Sequence, residues 1–335
     1  MTQADSTLPA FSSGAVRAAG VGACVLGLYL AGCGSAPSPA ASRTPTEIAA
    51  PASSERVEPA PAGERALVWT ENEAGRRQSY WVVLEADGVR IERRAAGSYV
   101  HAAGAERPFL LTAEEVPLYS CDDIIDEALG TPVDRRPWQR ASLGGDGGLE
   151  LPLGERLDHA VNDLSHEVRL EASYGPYLFI SETTWSYSCG AHGNAFVQFF
   201  VYDSNQRAVV SLLSPEELAA LTEERAAAEA LFRAEQGEVD DITDLRRMEL
   251  VKALPAFDGA GQTTLALVFA APTCYACTSG EWGSYFRTVR VESRSLPRAL
   301  LRTPAPKVVQ ELVRQAGPLG VLGSPRGWSS LPPQR

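Results

Sequence analysis

From about residue 66 onward, apolar and polar residues follow patterns that are typical of short β-strands. Residues 166–172 alternate between the two classes, as expected for a strand with one buried and one exposed face. Residues 177–188 and 195–202 are rich in aromatic and β-branched side chains, which favour pleated sheets. Asp87-Gly88 lies between two apolar runs and predicts a hairpin turn. The same criteria predict further strands at 66–69, 80–84, 89–91, 209–213, 263–270 and 285–291.

Helical periodicity appears in three segments of the second half. The strongest begins with Ser-Pro-Glu-Glu at 214–217, which combines an N-cap serine, a proline at the first helical position and a capping-box glutamate. This helix is predicted to end near Gly237, because glycine commonly follows the last helical turn. Further helices are predicted at 241–254 and 308–316.

The order of these elements predicts an α+β fold in which antiparallel sheets pack with a few helices. One compact unit fits the pattern, and so do two subdomains. In the second case, residues 66–165 would form a mostly β N-terminal subdomain and residues 166–316 a C-terminal α+β domain. Residues 317–335 are rich in proline and glycine and are predicted to be a flexible tail.

The N-terminus has the features of an export signal. After Arg17 comes an apolar run, 18–30, that is shorter than the roughly 20 residues a membrane-spanning helix needs. It ends in Leu-Ala-Gly-Cys at 30–33, which resembles the lipobox of bacterial lipoproteins. The resemblance implies that residues 1–32 are a signal peptide removed by cleavage. It also implies that Cys33 carries fatty acids such as palmitate, which anchor the protein in a membrane.

Residues 33–65 contain the anchor cysteine and a tether rich in proline, alanine and serine. This composition favours extended, polyproline-like conformations and cannot bury a core. At about 3.1 Å per residue, the tether could hold a domain up to roughly 90 Å from the membrane. Gly34, rather than Asp, follows the cysteine. By the sorting rule of enteric lipoproteins, this residue predicts the outer membrane, with the domain facing the periplasm or the cell surface.

Composition and charge exclude several classes of protein. The chain has 335 residues, of which 44% are hydrophobic and 21% charged, as in ordinary globular proteins. Its formal net charge is −12, from 42 acidic and 30 basic residues. A nucleic acid would repel such a chain, so we expect no nucleic-acid partner. A negative surface is instead suited to a basic partner or to solubility.

Four cysteines remain after the signal peptide and the lipobox cysteine: Cys121, Cys189, Cys274 and Cys277. In an exported protein they suggest two disulfides, for which three connectivities exist. We favour Cys121–Cys189 together with Cys274–Cys277. Zinc ligation by Cys189, His192, Cys274 and Cys277 is the alternative, because these residues have zinc-ligand spacing. Exported thiols tend to oxidise, so the disulfide interpretation predicts no bound metal.

No arrangement of residues points to catalysis. Ser186, Ser188 and His192 are close in sequence, but no nucleophile elbow or matched acid accompanies them. His166 and two other scattered histidines are interpreted as exposed or bonded locally. The acidic residues at 122–127 lack the calcium-loop spacing and are interpreted as a solvated surface. We therefore expect no catalytic residue and no cofactor.

One motif carries a family resemblance. Tyr-Ser-Cys-Gly-Ala-His-Gly-Asn at 187–194 lies between two predicted strands, and a strand ending in Asp203 and the 214–217 helix start follow. This arrangement resembles the domain of unknown function shared by the anti-sigma factor RsiV and PdaC-type peptidoglycan deacetylases, over about residues 166–295. The family motif is matched at Gly190, Ala191, His192 and Gly193, whereas Cys189 replaces its first glycine.

The resemblance implies an extracytoplasmic, non-catalytic domain, and in RsiV this region binds lysozyme. We interpret the motif as structural, with His192 bonding to local backbone. Together these features predict a non-enzymatic envelope lipoprotein that presents an acidic α+β domain to a protein or a cell-wall component such as peptidoglycan. A lysozyme-like protein is one candidate partner. The alternative is a peptidoglycan-acting or metal-dependent hydrolase.

Overall fold

The structure is a computed structural model, and its described part begins at residue 63. Within that part, no helix is both long and apolar enough to cross a membrane. The lipobox and most of the tether lie outside the described residues. These cover 63–93, 99–102, 105–125, 129–143, 149–150, 159–235, 243–274 and 280–330.

Strands dominate the part of the chain that the structure describes, which is 49% strand and 21% helix and contains four sheets. The predicted α+β class is therefore wrong, because the helices are few and mostly short and the fold is largely β. The strands are β1 Arg65–Glu71, β2 Arg77–Glu85, β3 Gly88–Arg93, β4 Tyr99–Ala102, β5 Ala105–Leu118, β6 Asp134–Leu143, β7 Leu149–Glu150, β8 Asp163–Tyr174, β9 Tyr177–Tyr187, β10 Asn194–Asp203, β11 Ala208–Val210, β12 Glu249–Phe257, β13 Thr263–Pro272, β14 Phe286–Ser293 and β15 Ser324–Ser330.

The helices lie between and after the sheets. A 3-10 turn, Leu245–Arg247, precedes β12. The 214–217 capping box is present at the start of α2, where the Ser214 side chain accepts from the Glu217 N–H. The α-helices are α1 Cys121–Ile125, α2 Pro215–Ala220, α3 Thr222–Glu235, α4 Trp282–Tyr285, α5 Arg298–Leu301 and α6 Lys307–Gln315.

All four sheets are built from antiparallel neighbours. Their strand orders are β15-β1-β2-β3, β4-β5-β6-β7, β11-β10-β9-β8 and β12-β13-β14. The central sheet, β8 to β11, contains the motif. In it, β8 and β9 meet at a tight turn that pairs Tyr174 with Tyr177, and β9 continues into β10 through residues 188–193. An isolated parallel bridge between Leu118 and Val161 joins the end of β5 to the segment before β8.

The predicted helix over 241–254 is wrong in its second half, which forms the edge strand β12. Leu, Met, Lys and Ala in this segment have good helix propensity. However, residues from Glu249 to Phe257 pair with β13 through a β-bulge between Leu250 and Lys252. Pro255 is tolerated because β12 lies at the edge of its sheet. Pairing with the next strand, β13, has overridden the local helix preference.

The predicted flexible tail, 317–335, contains the strand β15. It pairs with β1, so that the last sheet strand lies beside the first. Trp328 is 3% exposed and belongs to the main core. That core also contains Ala66, Phe179 and Leu267. The main core thus draws on both sides of the proposed subdomain boundary at residue 165.

A layer of charged groups joins the first sheet, the central sheet and β12. Glu171 accepts from Lys252 Nζ at 3.0 Å and from Ser181 Oγ at 2.9 Å. Arg169 donates to Glu71 at 2.6 Å. Burial alone would raise the pKa of Glu171, but the Lys252 ammonium, these hydrogen bonds and Arg169 outweigh it and lower the pKa. The Glu171 carboxylate is therefore stabilised in its charged form.

Candidate functional site

The motif forms the connection between β9 and β10. Asn194 pairs with Ser186 at the top of the two strands, so residues 188–193 close the end of the hairpin. Gly190 and Ala191 are exposed, whereas His192 is half-buried and Gly193 is buried. The Tyr187 hydroxyl donates to the Gly190 carbonyl at 2.9 Å and holds the first part of the turn.

A disulfide ties this connection to the start of α1. Cys189 is bonded to Cys121, with a Cα–Cα distance of 5.3 Å and a sequence separation of 68. This is one of the two pairings favoured from the sequence. Cys189 has a φ of 57°, in the left-handed region that glycine occupies most readily. A glycine at this position would adopt the same backbone conformation without strain.

His192 bonds to backbone next to it and contacts a tyrosine from far along the chain. Its Nδ1 lies 2.9 Å from the Gly193 carbonyl oxygen. Because a carbonyl only accepts, this contact assigns the ring proton to Nδ1. The Tyr285 hydroxyl donates to the same carbonyl at 2.7 Å and lies 3.4 Å from His192 Nδ1. The predicted local backbone bond of His192 is present, whereas the contribution of Tyr285 was not foreseen.

Two glycines allow the segment before β14 to pack against the motif. A Cβ on Gly193 would lie 2.7 Å from atoms of the Trp185 indole ring, and a Cβ on Gly280 would lie 2.5 Å from the Gly193 carbonyl oxygen. Neither contact leaves room for a side chain. Gly193 is therefore required for packing against Trp185, which supports a structural role for this part of the motif.

The zinc alternative loses one of its ligands in this geometry. The Cys189 sulfur is bonded to Cys121 and is not available as a thiolate. Cys277 belongs to the segment 275–279, which is outside the described residues. The Cys274–Cys277 pairing therefore stays a prediction. Within the described part of the chain, no group of three His, Cys, Asp or Glu side chains could hold a metal ion. Cys33 also lies outside the described residues.

The sequence interpretation missed a buried pair in the central sheet. His166 Nε2 lies 2.8 Å from Glu182 Oε1, and the two side chains are 0% and 2% exposed. The Gln139 N–H donates to His166 Nδ1 at 3.3 Å, and the Trp138 ring stacks on the imidazole at 3.8 Å. His166 is thus a core residue that connects β6 to β8 and β9. The sequence did carry a signal of this burial. His166 lies two residues before the apolar Val168 and therefore on the same face of β8.

Comparisons with known proteins give little further information. No protein-family model matches the chain, and no curated protein matches it either. Among solved structures, a crystal structure of a DUF3298 family protein from Pseudomonas aeruginosa PAO1 is a distant neighbour, with 19% sequence identity and a TM-score of 0.24. The match covers 44% of this chain and 62% of that chain, less than two thirds of its length. At this level of similarity, the match supports no inference about fold or activity.

Proposed function

We propose that this chain is a non-enzymatic, lipid-anchored protein of the bacterial cell envelope, which binds another protein or a cell-wall component through its acidic domain. The observation that carries the proposal is the Cys121–Cys189 disulfide, which links two half-buried positions of the fold. Disulfides persist in oxidising compartments such as the periplasm and are rare in the reducing cytosol. A protein that depends on this link is suited to a place outside the cytoplasm.

The sequence before the domain supports the same location. The lipobox-like sequence ending at Cys33 supplies an acylation site, and the tether after it provides distance from the membrane. Several acyl chains on one residue anchor a protein durably, unlike a single chain. We place the protein in the outer membrane, facing the periplasm or the cell surface, because Gly34 follows the cysteine.

Charge supports a basic partner. With a net charge of −12, the protein attracts cationic surfaces and accelerates their encounter with it. Lysozyme-like proteins and other basic envelope proteins have the complementary charge. The exposed Gly190 and Ala191 at the hairpin end are accessible for contact, while the residues around them stabilise the turn.

Mass spectrometry of the mature protein without reduction tests the location. We expect a chain that begins at Cys33, carries lipid on that residue and contains the Cys121–Cys189 bond. The variant Cys33→Ala is expected to remain uncut and to leave the membrane fraction. An unprocessed, lipid-free and fully reduced wild-type protein would contradict the proposal.

Binding is tested separately by surface plasmon resonance on the immobilised mature domain. A lysozyme and an acidic protein of similar size are passed over it at low and at physiological salt. We expect the lysozyme alone to bind, and more weakly as salt screens the attraction. Equal responses to both proteins would argue against an electrostatically selected partner.

A further inference from the structure

A cleft lies between the edge strand β12 and the end of β10. It has a volume of about 250 Å³ and is lined by residues 199–201, 210–213 and 250–253 and by Leu218 of α2. Pockets for small molecules usually enclose about 300–1,000 Å³, so this cleft is small for a ligand of that kind. Alternate side chains of a strand point to opposite faces, so a cleft lined by four consecutive residues of β12 reaches the edge of the strand. We name it the β12 cleft.

The outer edge of β12 presents backbone groups that no described strand uses. β12 pairs with β13 and is the first strand in the order β12-β13-β14. Pro255 has no N–H and cannot donate to β13, so its backbone nitrogen faces the outer edge. Ala253 lies two residues earlier on the same side of the bulge, and its N–H and C=O therefore also point away from β13. Within the residues that the structure describes, no backbone hydrogen bond from a turn or a loop reaches Ala253.

The lining of the β12 cleft is apolar, and its charge is compensated. Lys252 is the one charged residue among the described residues that line it, and its ammonium donates to Glu171 at 3.0 Å. Phe199 and Leu250 are half-buried, and Leu218 is 42% exposed. An occupant with apolar side chains would remove these groups from water, which favours binding.

We propose that the β12 cleft binds an extended segment of a partner protein, which adds to the outer edge of β12 as a further strand. A polypeptide backbone carries the alternating donors and acceptors that a free strand edge can pair with, and exposed edges recognise peptides in this way. Because Pro255 interrupts the row of donors, the pairing would cover residues 249–254, a length of about 20 Å. This proposal rests on the proposed binding function and names the surface and the chemistry of its partner.

The charge of the whole protein selects among extended segments. Its net charge of −12 repels acidic segments and also a second copy of the same chain. The β12 cleft itself offers apolar contacts and no uncompensated charge. We therefore expect the bound segment to be apolar within the cleft and basic on both sides of it.

The test uses the mature, disulfide-bonded protein and the fluorescein-labelled peptide Lys-Lys-Val-Thr-Val-Thr-Val-Lys-Lys. Two further peptides carry N-methyl groups on alternate residues, in the two possible phases, and a fourth has glutamate in place of lysine. Leu218→Gln alters the cleft, and Leu231→Gln is the matched control, a helical leucine that is 37% exposed and does not line it. Fluorescence anisotropy at physiological salt measures binding, and far-UV circular dichroism establishes the fold of each variant.

We expect the unmethylated lysine peptide to bind the wild type and Leu231→Gln equally, and Leu218→Gln about fivefold or more weakly. At least one methylated peptide should bind about tenfold more weakly, because methylation removes the N–H groups that pair with the strand edge. The glutamate peptide should also bind more weakly. Hydrogen exchange followed by mass spectrometry should slow in residues 249–257 when the peptide is bound. Exchange in residues 263–272 should stay unchanged, because β13 is already paired on both sides.

Several results would overturn this site. They are absence of lysine-peptide binding, equal binding of the methylated and unmethylated peptides, and unchanged exchange in residues 249–257. Equal binding of the glutamate peptide would contradict the basic flanks. A wild-type dimer in light scattering that Leu218→Gln loses would identify a second copy as the occupant and would also overturn the proposal. Lipid at Cys33 and lysozyme binding are measured independently, so failure of the β12 cleft leaves the proposed function standing.

Discussion

At the scale of single residues, the close packing of backbone against neighbouring side chains determines which positions tolerate a larger residue. The Trp69 Nε1–H donates to Ser173 Oγ at 2.8 Å, and this bond connects β1 to β8. Gly327 on β15 lies over it: an added Cβ would be 1.8 Å from Trp69 Nε1 and 2.0 Å from Ser173 Oγ. The absence of a side chain at residue 327 is therefore a condition for the bond.

We predict that Gly327→Ala destabilises the protein by about 2–4 kcal/mol, because it forces a steric shift and disrupts the Trp69–Ser173 bond. Urea unfolding monitored by tryptophan fluorescence measures the change. Gly259→Ala is the matched control, since a Cβ there has no atom within 4 Å. If Gly327→Ala and Gly259→Ala unfolded at the same urea concentration, β15 would have adjusted to the added methyl group without loss of stability.

At the scale of elements, the fold depends on links between sheets. Glu171 connects β8 to β12 through Lys252, His166 connects β8 to β6 through Trp138 and Gln139, and the disulfide connects α1 to the hairpin motif. Each link joins segments that are far apart in sequence. They explain how a largely β molecule with several small sheets is held together.

The Glu171 link predicts a dependence of stability on pH. Its pKa is lowered in the folded protein relative to the ordinary value of 4.5, so the unfolded chain binds a proton more readily. The stability it contributes is present above pH 4.5 and is lost as pH falls through the lower, folded pKa. We expect Glu171→Gln to be less stable at pH 7 and to lose less stability than the wild type between pH 5 and pH 3. Urea midpoints across this range measure both effects, and the exposed Glu167→Gln is expected to follow the wild type.

The disulfide link predicts a loss of stability when it is removed. The double variant Cys121→Ser with Cys189→Ser is expected to be less stable by about 4 kcal/mol, from the loop entropy of the 68-residue separation. Chemical denaturation with and without reductant gives the measurement. The reductant should destabilise the wild type by breaking this disulfide. The variant lacks the disulfide, so its stability should change little. Equal stability of the two proteins without reductant would mean that the loop is held by its other contacts.

At the scale of the whole molecule, the chain closes on itself. β1 is the first strand of the described part and β15 the last, and they are neighbours in one sheet. The main core contains Val68, Leu267 and Trp328, which come from the beginning, the second half and the end of the domain. The C-terminal segment is thus an integral part of the folded domain.

We predict that a chain ending at Leu322 does not fold cooperatively, because it loses β15 and the buried Trp328. Loss of one large buried aromatic side chain alone costs about 3–5 kcal/mol, a large part of the stability of a typical domain. Removal of residues 331–335 alone is the control and should leave the unfolding transition unchanged. A sigmoidal transition for the chain ending at Leu322 would show that β15 is dispensable.

Much of the candidate site was predictable, because its parts are local. The strands on both sides of the motif follow from alternation and β-branched residues, and the bond from His192 to neighbouring backbone needs only one turn of chain. The approach of Tyr285 and Gly280 was not predictable, since they come from a segment about 90 residues away. Sequence patterns describe which face of an element is apolar and do not identify the segment that covers it.

The sequence by itself determined the hairpins of the central sheet, the capped start of α2 and the pool of cysteines from which the Cys121–Cys189 bond is drawn. These features depend on side-chain chemistry over a few residues. Only the tertiary structure decided that 249–257 is a strand, that residues near the C-terminus complete the first sheet and that His166 is buried beside Glu182. In each of these cases, strand pairing and burial in the folded protein outweighed the weak conformational preferences of the local sequence.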